Sequence, residues 1–422
     1  MRASPRHSGR RVAPALFAWL LAAACGDQSE PAPSAPVVPA ELAAGASAVS
    51  TAIVLRGAVV TPDGALKQGY VGIVGGRIQS VSSRQPDIPG ADVIRTDGIV
   101  IPGFVDLHNH VPWNVLPRWH PRRRYDNRYQ WRVDPDYQQA AGVPFDHLSA
   151  SHFCAMNAWG ELRALVGGTT SILATQPVPC IHGLVRNLDF NSGFYGSTEL
   201  DREHIVAVLG IPLPDDPAGR AEFVDAARFL IANPAYEALA VHVAEGPDAS
   251  SEAEFTFLQS QSLLNPKGVL IHGIPLVPAD FRAMASAGTA LVWSPRSNIE
   301  LYGATADVGA ALDAGVEVAL APDWAVTGSG TMLDELKTAD AWDRQHLQGR
   351  LTPRQLLDMV TSVPARAAGI DDEVGALRAG LRADLVVLRG DANDPYGSVL
   401  RAGPREVQLV VIDGVPLYGT RR

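Results

Sequence analysis

Hydrophobic and polar positions alternate in two different ways along this chain. Between residues 51 and 98, and again from 375 to 422, short runs rich in Val, Ile and Leu (AIVLRGAVVT, YVGIVGGRIQSVSS, DVIRTDGIV; ADLVVLRG, REVQLVVIDGVPLYG) are broken by Gly, Asp and Pro turns. That pattern predicts short strands, and two distant segments of matching character predict one small β-sandwich built from both ends of the chain. Residues 99–374 follow another rhythm. Apolar runs of strand length (IVIPGFVDLH, TTSILATQ, LVRNLDF, HIVAVLGI, ALAVHV, GVLIHG, TALVWS, VEVALAPD) are mostly separated by helical stretches such as HFCAMNAWGELRALVG, AEFVDAARFLIAN, PADFRAMASAG and VGAALDAG. Eight such units predict an α/β fold with a (β/α)8 TIM-type barrel inserted in the sandwich, its site at the C-terminal ends of the strands.

Polar residues punctuate those ends. His108 and His110 close IVIPGFVDLHNH, His242 lies near the end of ALAVHVAEG, His272 closes GVLIHG, and Asp323 closes VEVALAPD. Residues i and i+2 of a strand share a face, so His108 and His110 are expected to grip one ion from a single strand end. A lone strand-terminal histidine is as easily a satisfied core residue, but two imidazoles on one inner face are a costly way to fill a core. Three imidazoles and a carboxylate make a zinc-type site for one divalent ion, with a coordination position left for a reactive water.

Composition narrows the partners. The chain has 422 residues, a net charge of −10 and only 19% charged residues, with no extended basic run, so nucleic-acid binding has no support. Arg2, Arg6, Arg10 and Arg11 precede the apolar stretch VAPALFAWLLAAA and then Cys25, the layout of an export signal over residues 1–25. The apolar run is too short for a permanent span, and LAAAC resembles a bacterial lipoprotein cleavage box despite Ala22 standing where Leu is usual. A plain cleaved signal ending near Ala24 is the rival. Residues 26–50, rich in Pro, Ala and Ser, read as a flexible linker. The expectation is an exported periplasmic or cell-envelope lipoprotein that meets the membrane only through its anchor and acts on a small molecule. Export would also let Cys154 and Cys180 pair, although two buried free thiols fit the sequence equally.

The ordered motifs PGFVDLHNH, VHVAEG, IHG, SPRSN, APD and GALRAGLRADLVVL resemble the amidohydrolase superfamily across roughly residues 51–422, the triazine-hydrolase and aromatic-deaminase-like branch above all. That resemblance implies metal ligation by His108, His110, His242 and Asp323. It implies that Asp323 also takes a proton from the attacking water, that His272 orients this water or polarises the substrate, and that Glu245, three residues after His242, shuttles protons. Ser297 and Asn298 either support the site residues or are structural, the latter being favoured. Two-metal relatives carry a bridging lysine on the fourth strand, yet HIVAVLGI has none and the nearest, Lys267, precedes the sixth strand. One divalent ion, of zinc type, is therefore expected, with a second ion bridged by another group as the alternative.

The implied activity is hydrolysis of a carbon–nitrogen bond other than a peptide bond, in a cyclic amide, an acyl amino acid or an aminated heterocycle. Deamination of an aromatic or nucleobase-type ring is the alternative within that chemistry. A catalytically inactive periplasmic ligand-binding lipoprotein and a closed structural zinc site are the alternatives outside it. Substrate contact is expected from the loop 111–137, where Trp113 and Trp119 stand beside Arg122, Arg123 and Arg124 and suit a planar or carboxylate-bearing ligand. Its rival is a surface lid whose arginines pair with Asp126, Asp134 and Asp136. Oligomeric state is left open. The leader carries its own test: mass spectrometry of the mature protein is expected to find a lipid-modified Cys25 at the N-terminus, and an unmodified N-terminus downstream of it would replace the anchor with ordinary secretion.

Overall fold

The computed structural model describes residues 52–173, 184–189 and 206–419. The export segment, the linker to residue 50 and Cys180 lie outside them. Cys154 is disulfide-bonded. No helix among the described residues is long and apolar enough to cross a membrane.

Both chain ends share a sheet. Its seven strands are β1 (Ile53–Thr61), β2 (Gly64–Val74), β3 (Arg77–Ser82) and β4 (Asp92–Pro102) from the first segment, and β13 (Leu385–Leu388), β14 (Val407–Ile412) and β15 (Val415–Gly419) from the last, in the order β15-β14-β13-β4-β1-β2-β3. The two segments meet where β4 and β13 pair antiparallel, Val386 opposite Ile101. The run expected as one strand over 99–108 is two. Residues 99–102 end β4, and after Gly103 the chain turns into β5 (Phe104–Asp106). Glycine is required at that corner, because a Cβ there would lie 2.2 Å from Thr170 Oγ1.

The middle of the chain is parallel. β5, β6 (Thr169–Ile172) and β7 (Arg186–Asn187) form one sheet, and β8 (Val206–Gly210), β9 (Ala238–Val243), β10 (Gly268–His272), β11 (Ala290–Trp293) and β12 (Val318–Leu320) form another, in sequence order. The sheets are linked at both edges by backbone hydrogen bonds. Val206 N–H donates to Leu188 O (2.9 Å), Asp323 N–H to His108 O (3.0 Å) and His110 N–H to Asp323 O (2.9 Å). Side chains alternate between two cores. Val105, Ala238, Ala240, Val269, Ile271, Val292 and Ala319 pack together on one face, while Leu239, Val241, Leu270, Leu291 and Leu320 turn to the other. Helices follow the strands where their caps predict: Asp216 opens Pro217–Ala232, Asp248 opens Ala249–Ser260 and Asp307 opens Val308–Ala314, each by accepting a backbone N–H.

A buried ion network fastens the parallel part to the seven-stranded sheet. Arg186 on β7 pairs with Asp384 and with Asp413 (3.0 Å), and Asp413 also binds Arg382 (2.8 Å). Arg186 and Asp384 are each about 1% exposed. Removing one partner of a buried pair strands the other charge and costs about 3–5 kcal/mol. Asp384→Ala is accordingly expected to lower the midpoint of urea unfolding steeply, and an unchanged midpoint would show that the pair does not hold these parts together.

Candidate active site

The five residues expected to gather at the strand ends do so, by different routes. On β9 the inward positions are Ala238 and Ala240, so His242 is the next residue on that face. Asp323 follows Ala319 and Ala321 in the same parity. For His272 the alternation points the wrong way, since Val269 and Ile271 face inward and Leu270 outward. A backbone φ of 80° at His272 breaks the alternation and turns its ring to the cluster. His108 and His110 likewise are not a strand pair: β5 ends at Asp106, and the chain carries both imidazoles inward beyond it. Asp106 shapes that turn by accepting His108 N–H (3.1 Å) and Asn109 Nδ2–H (2.7 Å).

The donor atoms converge. His108 Nε2 stands 3.2 Å from His242 Nε2 and 3.3 Å from Asp323 Oδ1, and His110 Nε2 is 3.4 Å from the same oxygen. The ring centroids of His108 and His272 are 4.9 Å apart. Two triplets have geometry for one cation, His108–His242–His272 and His108–His110–Asp323. Burial pushes the imidazoles toward their neutral form, His110 to about 4 and His108 and His242 well below the usual histidine range. Burial also pushes the Asp323 carboxyl well above the ordinary range, with Glu245, Glu335 and Asp106 adding to it against the Ser297 hydrogen bond. Neutral imidazole nitrogens crowded around an uncompensated buried carboxylate repel one another's lone pairs and leave that oxygen without a counter-charge. A divalent cation removes both costs, so the donor set fits one. The side chain of His110 is 28% exposed while His108 is fully buried, which puts the open side of the cluster at His110.

His108, His272, Asp323 and the neighbouring Glu245 are held from behind by the segment after β11. Ser294 Oγ lies 2.8 Å from His108 Nδ1, and Ser297 Oγ donates to Asp323 Oδ2 (2.5 Å). Asn298 Oδ1 accepts His272 Nδ1–H (2.9 Å) and Tyr302 Oη donates to Glu245 Oε1 (2.7 Å). The last three belong to one helix, Pro295–Tyr302, where Asn298 and Tyr302 are four residues apart and therefore on one face. Ser297 and Asn298 thus orient site groups, one of the two roles open to them from the sequence, where the structural one was favoured. The bond to Asn298 leaves His272 with its lone pair on Nε2, 3.6 Å from Glu245 Oε2. Burial alone would raise the Glu245 carboxyl, but His272, Arg132, Arg128 and the Tyr302 hydroxyl together hold it below its ordinary value. The φ values of 80° at His272, 65° at Asp323 and 55° at Ala244 concentrate strained backbone around this cluster, at roughly 1–3 kcal/mol each.

The loop 111–137 is assembled differently from its expected role. Arg122 pairs with Asp136 (3.3 Å), Arg123 with Asp134 (2.8 Å), and Arg124 donates to the Glu300 carbonyl; Arg122 and Arg123 are largely exposed. Arg122 and Arg123 are thus paired within the loop, as in the rival reading, whereas Arg124 reaches outside it. Trp119 is buried with its Nε1–H on Asp136 (3.0 Å), and Trp113 stacks on Phe145 at 3.6 Å between centroids. The loop's contact with the site runs instead through Arg128, which donates to His242 O (3.2 Å) and pairs with Glu254 (2.8 Å), and through Trp131, whose Nε1–H donates to Tyr302 Oη (2.7 Å). Gly246 permits the approach, since a Cβ there would meet Asp126 O at 2.2 Å. The expected absence of a fourth-strand lysine holds, as β8 reads VAVLG, and Lys267 donates instead to the Asn233 and Tyr236 carbonyls before β9.

Binding of a divalent ion to the folded chain alone adds stability by mass action, about 4 kcal/mol at a thousandfold excess over Kd. Zinc added to metal-stripped protein is expected to raise the thermal midpoint, and His108→Ala to abolish the rise. A wild-type midpoint indifferent to zinc would refute a metal site here.

Comparison with known proteins agrees with this geometry. The model of the amidohydrolase family matches residues 235–417, a span that holds His242, Glu245, His272 and Asp323. The chain is 24% identical over 412 residues to the 5'-deoxyadenosine deaminase of Methanothermobacter thermautotrophicus, covering 86% of this chain and 92% of that protein. It is 32% identical over 178 residues to the 5-methylthioadenosine/S-adenosylhomocysteine deaminase of Desulforudis audaxviator, covering 39% of this chain and only 41% of that relative. Among solved structures, atrazine chlorohydrolase of Arthrobacter aurescens TC1 complexed with zinc shares the fold at a TM-score of 0.68 and 20% identity, over 87% of this chain and 95% of that one. Residues 235–417 thus match the amidohydrolase family, and the strand-end ligand set lies along the same chain.

Proposed function

We propose that the protein is a metal-dependent hydrolytic deaminase acting on an aminated, nucleoside-like heterocycle. The coarse class, hydrolysis of carbon–nitrogen bonds other than peptide bonds, is that of its superfamily. The observation that carries the finer reading is Glu245: an ionised, buried carboxylate fixed beside His272 and within the histidine cluster, where a ligand-binding or purely structural metal site has no use for one. The deaminase relatives favour ring deamination over amide or lactam hydrolysis, which the same groups could serve.

His108, His110, His242 and Asp323 would hold one ion of zinc type. Such an ion, when bound, lowers the pKa of water to roughly 7 and so supplies a nucleophile at neutral pH. Asp323, with Oδ2 anchored by Ser297, would also take a proton from the attacking water. His272 presents its Nε2 lone pair and accepts a hydrogen bond from that water, setting its direction. With this tautomer it orients the nucleophile, and polarising the substrate would require a second proton on the ring. Glu245 is ionised at rest, so it must take up a proton before giving it to the ring or the departing nitrogen, which makes it a shuttle rather than a resident acid. The ring would enter on the His110 side, beside the edge of Trp324 at 6.0 Å between centroids.

The same proposal includes two further points. The backbone hydrogen bonds at both sheet edges support reading the eight parallel strands as a closed (β/α)8 barrel. The layout of residues 1–25 supports export to the cell envelope on a lipid anchor.

The test is a panel of adenosine, 5'-deoxyadenosine, 5-methylthioadenosine, S-adenosylhomocysteine and cyclic amides, followed by ammonia release for the aminated rings and by ring opening for the amides. Turnover of an aminated ring is expected, with Asp323→Asn and Glu245→Gln each losing most activity. His108→Ala is expected to lose the ion as well, whereas Glu245→Gln keeps it. Hydrolysis of the amides alone would overturn the deaminase reading, and loss of the ion in Glu245→Gln would overturn the shuttle.

A further inference from the structure

Glu245 has two carboxylate oxygens, and only one of them faces the histidines. Oε2 lies 3.6 Å from His272 Nε2, while Oε1 accepts the Tyr302 hydroxyl at 2.7 Å. The Tyr302 oxygen in turn accepts Trp131 Nε1–H, also at 2.7 Å. All three side chains are buried: Tyr302 and Glu245 are 5% exposed and Trp131 is 7% exposed. None of these bonds serves the fold in an obvious way. A tyrosine hydroxyl buried at a helix end needs a partner, but an apolar residue there would fill the same volume without needing one.

We infer that Tyr302 is a positioning residue, which holds Glu245 so that Oε2 alone works on the substrate, and that Trp131 makes this hold depend on the docked loop 111–137. The inference rests on the role proposed above for Glu245. A carboxylate free to rotate about its terminal torsion presents either oxygen over a broad range of angles. With Oε1 engaged, the carboxylate plane is set and Oε2 stays toward His272. Tyr302 has just one proton to donate, and it is committed to Glu245 because its oxygen is taken up as acceptor by the indole N–H. The hydroxyl therefore fixes the orientation of the shuttle without touching the reacting atoms.

The second half of the inference concerns the loop. Arg128 N–H donates to Glu245 O (3.1 Å), and its guanidinium ties the end of β9 at His242 O to the end of β8 at Ile211 O. Asn127 caps the short helix Arg128–Arg132 and donates to Asp248 (2.7 Å), so Trp131 is delivered on a helix fixed at its start. Trp131 also lies 5.5 Å from Trp324, which borders His110. The loop thus reaches the site on two sides, once at the open face and once behind the proton carrier. A loop that lifts away would release Tyr302 and Glu245 together.

The experiment compares full-length wild type with Tyr302→Phe and Trp131→Phe, both of which keep ring volume and remove one donor. Against whichever substrate the panel turns over, Tyr302→Phe is expected to lower kcat about 10- to 100-fold with KM within about twofold, and Trp131→Phe to move kcat the same way by less. Zinc content should equal that of wild type in both. A kcat unchanged in Tyr302→Phe, or a loss confined to KM, would overturn the positioning role. An infrared comparison of the carboxylate bands, with Glu245→Gln identifying the band of Glu245, adds a readout that needs no turnover. A shift of that band in Tyr302→Phe is expected, and an unshifted band would overturn the inference by itself. Absence of turnover on the entire panel with a shifted band would count against the proposed reaction and leave Tyr302 as the group that orients Glu245.

Discussion

The site depends on a seam two hydrogen bonds long. Asp323 N–H reaches His108 O and His110 N–H reaches Asp323 O, so residues just past the last parallel strand are stitched to residues just past the first. Three of the candidate ligands sit on that seam. Without it His108, His110 and Asp323 would belong to strands separated by the whole length of the parallel sheets, and no local propensity would bring them together. The positive φ of Asp323 belongs to the same arrangement, because its backbone must accept and donate to one neighbouring segment while its side chain turns inward. The backbone strain is thus sustained by pairing that residues 108–110 supply, as expected where surrounding structure over-determines a conformation.

Burial then sets the chemistry. The same desolvation that keeps the imidazoles unprotonated and ready to donate lone pairs raises the Asp323 carboxyl, so ligands and base are biased in opposite directions by one cause. A cation reconciles them. Glu245 escapes the bias because His272, Arg132, Arg128 and a tyrosine hydroxyl together outweigh its burial. Two carboxylates a few residues from the same histidines are thereby driven apart in proton affinity, and that separation is what divides an acid–base pair into distinct roles.

How far the sequence could be read follows from what kind of contact placed each residue. His242 and Asp323 were legible because they continue the inward parity of their strands, 238-240-242 and 319-321-323. His108 and His110 were legible for a reason that does not hold in detail, since they lie beyond β5 and owe their direction to Asp106 and the seam. His272 was legible only through the motif, because its own alternation points outward. The two β-rich ends were readable as partners, but not the corner at Gly103, whose need for glycine comes from Thr170, 67 positions away in the chain. Tyr302 left no trace that reading from one dimension could find. Its signal, four residues after Asn298 on a helix opened by Pro295, becomes meaningful only once Asn298 is known to hold His272.

The loop 111–137 shows why composition misleads where pairing decides. Its arginines and tryptophans have the chemistry to hold a planar anion, yet Asp134 and Asp136 lie in the same loop and pair with Arg123 and Arg122. Ion pairs this exposed contribute little energy, so they are adaptable surface rather than a built recognition site. The two arginines that do bear on the site lack such partners nearby in sequence. Arg128 is buried and bound to backbone carbonyls at the end of β9, and Arg132 stacks on Trp131 at 5.4 Å while its charge lowers the proton affinity of Glu245. Charge that is left over after local pairing is the charge that bears on the chemistry.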